Sequence, residues 1–341
     1  MRPFQLFKRV VGSRVYTSPK KRRHMKKRFC TLTALFISAL SIAGQTPPAA
    51  PPATTLKIVI LGSGGGPPVD TQKYGPSILI EAGGEKLMFD CGRAASIRLV
   101  EAGAGQNEID KIFLTHLHSD HIIALPDMLL AGWTSGRKTP LRVWGPSGTK
   151  DMMSSMLRTF DFDVHIRRDV DEKLSAEGIK VVATDIKEGV VYEHNDVKVS
   201  AFLVDHGPVK PAFGYRVDAG GHSVVMSGDT RFSENLIIHA AGADVLIHEV
   251  QTTTLTQFLA RGVTRAQAEN IINHHTSAAE TGVVFSRVRP RLAVYAHGGS
   301  PSTVEEARKS YSGPLEIADD LMTILVGDKI EVQRRSAQRL N

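Results

Sequence analysis

At 341 residues, 42% hydrophobic and 6% aromatic, the chain has the make-up of a soluble globular protein with one large domain or two small ones, which excludes a disordered or fibrous class. Its formal net charge of +7 sits in a leader: residues 1–30 hold eleven Lys and Arg and no acid, leaving 31 bases against 35 acids in the remainder. A mildly acidic body removes the basic-surface argument for a nucleic-acid partner, and the two cysteines, Cys30 in the leader and Cys91 in the body, exclude a disulfide framework.

In chain order, Met25-Lys26-Lys27-Arg28 and the apolar run Thr31 to Ala43 read as an export signal, with Ser41, Ala43 and Gly44 small enough for cleavage. The expected organisation is an extension plus signal at 1–44, a Pro/Ala-rich linker at 45–55, a folded domain at 56–330 and a tail at 331–341. The expected location is exported, periplasmic or secreted, with no membrane attachment after cleavage. An uncleaved anchor is the competing reading, and the apolar run is short for a bilayer.

Leu56 to Leu61 is an expected strand, followed by the glycine-rich loop Gly62 to Pro68. That loop runs into Pro-Pro and another strand, Ser77 to Ile80, rather than into a helix, so it lacks the context of a dinucleotide site and is read as a turn at a pocket rim. Lys86 to Asp90 is a third strand and Ala95 to Ala102 a helix. The strand at 111–114 then delivers Thr115-His116-Leu117-His118-Ser119-Asp120-His121. Four potential metal ligands fall within six residues, more than one ion uses comfortably. The cluster anticipates two zinc-like ions sharing a water. The plain alternative, a polar loop bonded to solvent, explains such density poorly.

Beyond it a helix with Pro126 at its start or at a bend, a strand at 141–146 and a helix at 149–160 are expected. From about 163 to 204 short alternating runs suggest antiparallel strands. Later strands end in Asp205-His206, in Ser227-Gly228-Asp229-Thr230, in His248-Glu249 and in His297, and Ser277 with Glu280 forms a capping box. Strand after strand ends in His, Asp or Glu, which is where a layered α/β fold places its chemistry. The fold class expected is α/β, two mixed sheets with helices outside. Loops 62–74, 132–139 and 207–213 are the expected pocket walls, with Trp133, Phe213 and Phe232 as wall or core. His165, His194, His222 and His239 are read as surface groups, and His248 and His274 are left open as caps or surface groups.

The order His116-x-His118-x-Asp120-His121, His206, Asp229, His297 resembles the metallo-β-lactamase superfamily. The likeness extends to its ribonuclease Z and arylsulfatase-like branch through Pro211 to Arg216, Ser227-Gly228-Asp229-Thr230-Arg231, His248-Glu249 and His275-Thr276-Ser277. The resemblance covers 56 to about 328 and implies an αββα sandwich, the metallo-β-lactamase fold. It also implies that His116, His118 and His206 hold one zinc, that Asp120, His121 and His297 hold the other, and that Asp229 bridges them. A hydrolase with two Zn2+ follows, with Mn2+ or Fe2+ as substitutes. A hydroxide shared by the ions would attack the ester, Asp120 would steer it, and His275, oriented by Glu249, would protonate the leaving group.

An aspartate at 229 favours phosphodiesters or sulfate esters. A β-lactam or lactone hydrolase and a non-catalytic periplasmic zinc-binding protein are the alternatives. The stretch 150–204 has no arm of the kind with which ribonuclease Z enzymes grip tRNA, and Val250-Gln251 stands where the branch has Ala-Thr. With an acidic body and an export signal, the expected partner is a small anionic ester and not nucleic acid. A homodimer is compatible with the sequence.

Overall fold

The computed structural model describes residues 56–335; the expected export signal and linker, and residues 336–341, lie outside the described residues. No helix among the described residues is long and apolar enough to cross a membrane.

The first strand, β1 (Leu56–Gly62), is apolar from Ile58 onward because both of its faces are covered there. Leu56, Ile58 and Ile60 enter one core, Val59 and Leu61 another. Next come β2 (Ser77–Ala82), β3 (Glu85–Phe89), α1 (Ala95–Glu101), β4 (Lys111–Phe113), α2 (Ser119–Ile122), α3 (Leu125–Thr134), β5 (Leu141–Gly145), α4 (Thr149–Thr159), α5 (Asp161–His165) and β6 (Val181–Asp185). The second half contributes β7 (Gly189–His194), β8 (Val197–His206), β9 (Val209–Ala219), β10 (His222–Met226), α6 (Glu234–His239), β11 (Val245–His248), α7 (Leu255–Ala260), α8 (Arg265–Ile272), α9 (Ala278–Val288), β12 (Leu292–Tyr295), α10 (Pro301–Ala307) and β13 (Leu315–Ile317). The chain then returns to the first sheet as β14 (Met322–Val326) and β15 (Ile330–Gln333).

Strand order is β15-β14-β1-β2-β3-β4-β5-β6 in one sheet and β13-β12-β11-β10-β9-β8-β7 in the other. Both are mixed: β3 to β6 and β10 to β13 run parallel, the rest antiparallel. Apolar side chains of both sheets meet in a central core. Helices α1, α3 and α4 cover the outer face of the first sheet, and α6, α9 and α10 that of the second. The expected αββα sandwich is therefore the architecture.

Three expectations need correction. The run at 179–183 is a strand, but β6 lies parallel to β5 in the first sheet. Alternation reveals a strand, not its partner, and the helical crossover through α4 and α5 brings the chain back in the same direction. Residues 163–170, placed at the start of the antiparallel region, are helical instead. The folded domain also passes the boundary at 330: β15 pairs with β14, and Arg334 binds Glu316 and Asp319.

The end of β4 is pinned from both layers, which fixes where the ligand loop begins. Leu114 N–H donates to Trp144 O at 2.7 Å, Tyr215 Oη donates to Leu114 O at 2.8 Å, and Phe213 N–H donates to Thr115 O at 2.9 Å. Phe113 stacks between Phe89 and Trp144 with ring centroids 5.0 and 4.7 Å away. Trp133, buried with its Nε1 donating to Ser175 O, and Phe213 are core.

Candidate metal centre

The ends of β4, β8, β10 and β12 bring His116 to His121, His206, Asp229 and His297 to one edge of the sandwich, where the side chains converge. After β4, the four residues of α2 turn Asp120 and His121 inward, both buried, while His118 precedes the helix in extended conformation. Asp229 is delivered by Gly228 at φ +60°, where a Cβ would lie 2.6 Å from Phe213 O; only glycine permits that approach. His297, after β12, itself adopts φ +70° and is held by donating its N–H to Ser63 O at 3.1 Å.

All seven expected ligands meet. Asp229 Oδ2 is 4.0 Å from His116 Nε2, 3.9 Å from His206 Nε2 and 3.4 Å from His297 Nε2, and its Oδ1 is 3.5 Å from His121 Nε2. Asp120 Oδ2 is 3.7 Å from His121 Nε2 and 3.6 Å from His297 Nε2, and His118 Nδ1 is 3.3 Å from His206 Nε2. Donor atoms of His116, His118 and His206 are close enough to share one ion; so are those of Asp120, His121 and His297, and those of His116, His121 and Asp229. Asp229 thus stands between the two expected sets.

The donors fit a metal by a further criterion. One ring nitrogen of each of three histidines is tied to protein: His121 Nδ1 donates to Asp90 Oδ2 at 2.7 Å, His116 Nδ1 to Thr115 Oγ1 at 3.0 Å, and His206 Nδ1 to His274 O at 3.0 Å. The opposite nitrogens of His116 and His121, with His297 Nε2, are buried without any hydrogen-bond partner among the described residues. Buried polar atoms are seldom left so, and fixing one imidazole nitrogen to free the other is how proteins present histidine to a metal.

Without an ion the charges lean on one another. Burial alone would push the Asp229 carboxyl up, but His297 and His121 hold it well below the usual carboxylate range. Asp120 is likewise held low against burial by the neighbouring His297, 3.6 Å away, and by the charge of His121. His116 is driven well below its ordinary value by burial and by His121, and burial takes His206 down to about 4. His121 and His297 move up against burial, chiefly because of Asp229.

His275 and Glu249 stand beside the cluster, as expected. Glu249 Oε1 accepts Thr276 N–H at 2.9 Å and Thr230 N–H at 3.3 Å, which turns Oε2 toward His275 Nδ1, 3.3 Å away but not aligned as a hydrogen bond. Burial works against the His275 cation, yet Glu249 outweighs it and the pKa is pushed up to about 9. His274 reaches the rim, close enough to His206 and His275 to share a donor set with them, and its carbonyl orients His206. His248 is buried with Nδ1 donating to Glu249 O and lies outside the donor sets. His165 and His194 are exposed, while His222 and His239 are half-buried.

Sequence reasoning missed Asp90. Its carboxylate accepts His121 Nδ1–H together with the N–H and hydroxyl of Thr115, so it orients His121 directly and His116 through Thr115. The available signal was the one used elsewhere, an acid at the end of a strand.

Residues 56–261 match the family model of the anti-Pycsar protein Apyc1. Ribonuclease Z of Mycolicibacterium gilvum is 32% identical over 281 residues, covering 80% of this chain and 96% of that protein. Ribonuclease Z of Mycobacterium bovis is 30% identical over 281 residues, covering 80% and 98%. In fold, the chain is similar to the metallo-β-lactamase fold protein YhfI from Bacillus subtilis, with TM-score 0.60 and 19% identity over 79% of this chain and 98% of that one. It is also similar to the short form of human tRNase Z, with TM-score 0.58 and 20% identity over 80% and 99%.

These relatives correct the expected partner. A small anionic ester in place of nucleic acid rested on the net charge of the body and on a missing arm, whereas proteins named ribonuclease Z match along 80% of the chain. Charge summed over a whole surface does not report the potential in one groove, where metal ions would dominate. The non-catalytic zinc-binding reading gives way with it. The chain belongs to the family of the anti-Pycsar protein Apyc1 and to the ribonuclease Z branch of the metallo-β-lactamase superfamily, and is a metal-dependent hydrolase.

Proposed function

We propose that the chain is a two-zinc phosphodiesterase that hydrolyses RNA phosphodiester bonds. The observation that carries this reading is the meeting of two donor sets at Asp229, in a chain whose relatives bear the name ribonuclease Z. His116, His118 and His206 would hold one ion, Asp120, His121 and His297 the other, with Asp229 between them. Imidazole with carboxylate suits zinc, and Mn2+ or Fe2+ can occupy such a set. When bound, two dications supply positive charge for the phosphate oxygens and acidify a water for attack.

The remaining work falls to the chain. Asp120, whose Oδ2 also accepts Gly66 N–H at 3.0 Å, is fixed in place to take up the proton of the attacking water. In the metal-free protein Glu249 pushes the His275 pKa up to about 9, and because Nδ1 faces Glu249, Nε2 is the atom placed to deliver a proton to the departing ribose oxygen. Glu249 holds that ring in orientation and charge.

The test is a panel on zinc-reconstituted protein: RNA oligonucleotides and tRNA transcripts, aryl phosphodiesters, aryl sulfates, and a penicillin. The reading expects cleavage of RNA and aryl phosphodiesters that disappears in Asp120→Ala. Turnover of aryl sulfates or penicillin with RNA left intact would overturn it.

A further inference from the structure

We infer that Asp320 is a positioning residue for one half of the metal centre, the half built from His297 and Asp120, and that it acts through the glycine-rich loop 62–74. The inference rests on the ligand assignment proposed above. Asp320 lies between β13 and β14 with its side chain almost wholly buried. Oδ1 accepts Ser63 N–H and Ser63 Oγ–H, each at 2.9 Å, and Oδ2 accepts Tyr74 N–H at 2.9 Å. Arg98 Nη2 is 3.3 Å from Oδ2, and its guanidinium carbon lies 4.4 Å above the centre of the Tyr74 ring. One carboxylate therefore closes the neck of the loop by gripping both of its ends.

The closed loop touches two of the donors. Ser63 O accepts the N–H of His297 at 3.1 Å, which holds a non-glycine residue at φ +70°, a conformation that needs outside support. Gly65 lies so close to the His297 ring that a Cβ would be 2.8 Å from Nδ1 and Cε1, and Gly66 N–H donates to Asp120 Oδ2. The other half is supported differently: His116 by Thr115 and His206 by the His274 carbonyl. Loss of Asp320 should loosen one ion and spare its neighbour.

The isosteric variant Asp320→Asn is informative because its amide, whichever way it turns, faces the N–H of Ser63 or of Tyr74 with a second donor. Zinc is titrated against a chromophoric chelator into metal-free wild type, Asp320→Asn and, as control, Asp244→Asn. Asp244 accepts Ser223 N–H and Arg291 at the far end of the sandwich. The expected result is one site weakened about tenfold to a hundredfold in Asp320→Asn, the scale of losses for groups that orient ligands, with the other site unchanged. The visible spectrum of cobalt in the weakened site should change, and Asp244→Asn should match wild type. Equal affinities at both sites, or equal weakening of both, would overturn the inference. Should Asp320→Asn fail to fold, Ser63→Ala removes one of the same bonds and should weaken the same site severalfold; no change there would overturn it equally. Wild type binding fewer than two ions would instead refute the ligand assignment, and the inference with it.

Discussion

Replacing Asp90 by Asn exchanges one oxygen of a buried carboxylate for an amide nitrogen and should disable His121 as a ligand. In the native protein Oδ2 accepts the Nδ1 proton of His121, so that Nε2, facing Asp120 and Asp229, is the nitrogen left for a metal. Oδ1 accepts Thr115 N–H at 2.8 Å, so an asparagine must keep its oxygen there and turn its amide toward His121. The ring then accepts at Nδ1 and carries its proton on Nε2, where a metal needs the lone pair. Turning the amide over would set a donor against Thr115 N–H. Loss of ligand orientation costs about tenfold to a hundredfold in metal affinity, or about 1.4–2.7 kcal/mol. Zinc titration against a chelator, with the melting temperature of the metal-free protein alongside, is the assay. The expected pattern is weaker zinc binding with metal-free stability close to wild type. Two ions bound at wild-type affinity would refute the tautomer argument.

Further outcomes follow from the same geometry. His275→Ala should keep two ions but lower kcat on RNA by about 10²- to 10⁴-fold, with a smaller loss on a nitrophenyl diester whose leaving group needs no proton. Gly65→Ala places a Cβ 2.8 Å from the His297 ring and should weaken zinc binding without a large change in melting temperature. The metal-free protein should lose stability with rising pH. His275, raised from 6.5 to about 9, gives a contribution that is full below pH 6.5 and gone above about 9, and His121 and His297 shift the same way. Thermal melts of metal-free protein across that window check the sign, and zinc should flatten the trend. Arg137 is buried with no carboxylate partner among the described residues and donates to the carbonyls of Ile109, Met128, Leu129 and Gly178. Arg137→Ala orphans those groups and opens a void, so urea unfolding should show a loss of about 3–5 kcal/mol with activity per folded molecule intact.

The metal centre was legible because ligand chemistry is dense and local. His116 to His121 carry four donors in a single turn, and His206, Asp229 and His297 each follow an apolar run that could only be a strand. What escaped was support from afar. Asp320 reaches Ser63 across 257 positions, and no pattern in a single sequence ties an acid between two strands to a glycine loop so distant. Asp90 was within reach of the strand-end rule but stood alone, without a second ligand beside it. The partner of β6 and the strand β15 were hidden for another reason: hydrophobic period identifies an element, while pairing is settled by crossovers and by what remains uncovered. Helices α7 and α8, with Ala268 their one buried residue, carry little of the apolar stripe that marks a packed helix. The substrate inference failed because net charge is a property of the whole surface, and catalysis depends on the groove.

The most direct test of the account is anomalous diffraction at the zinc edge on crystals of the zinc-loaded protein. Two peaks about 3.5–4 Å apart, one on each side of Asp229, are expected. A single peak, or metal bound away from Asp229 and His297, would contradict the account.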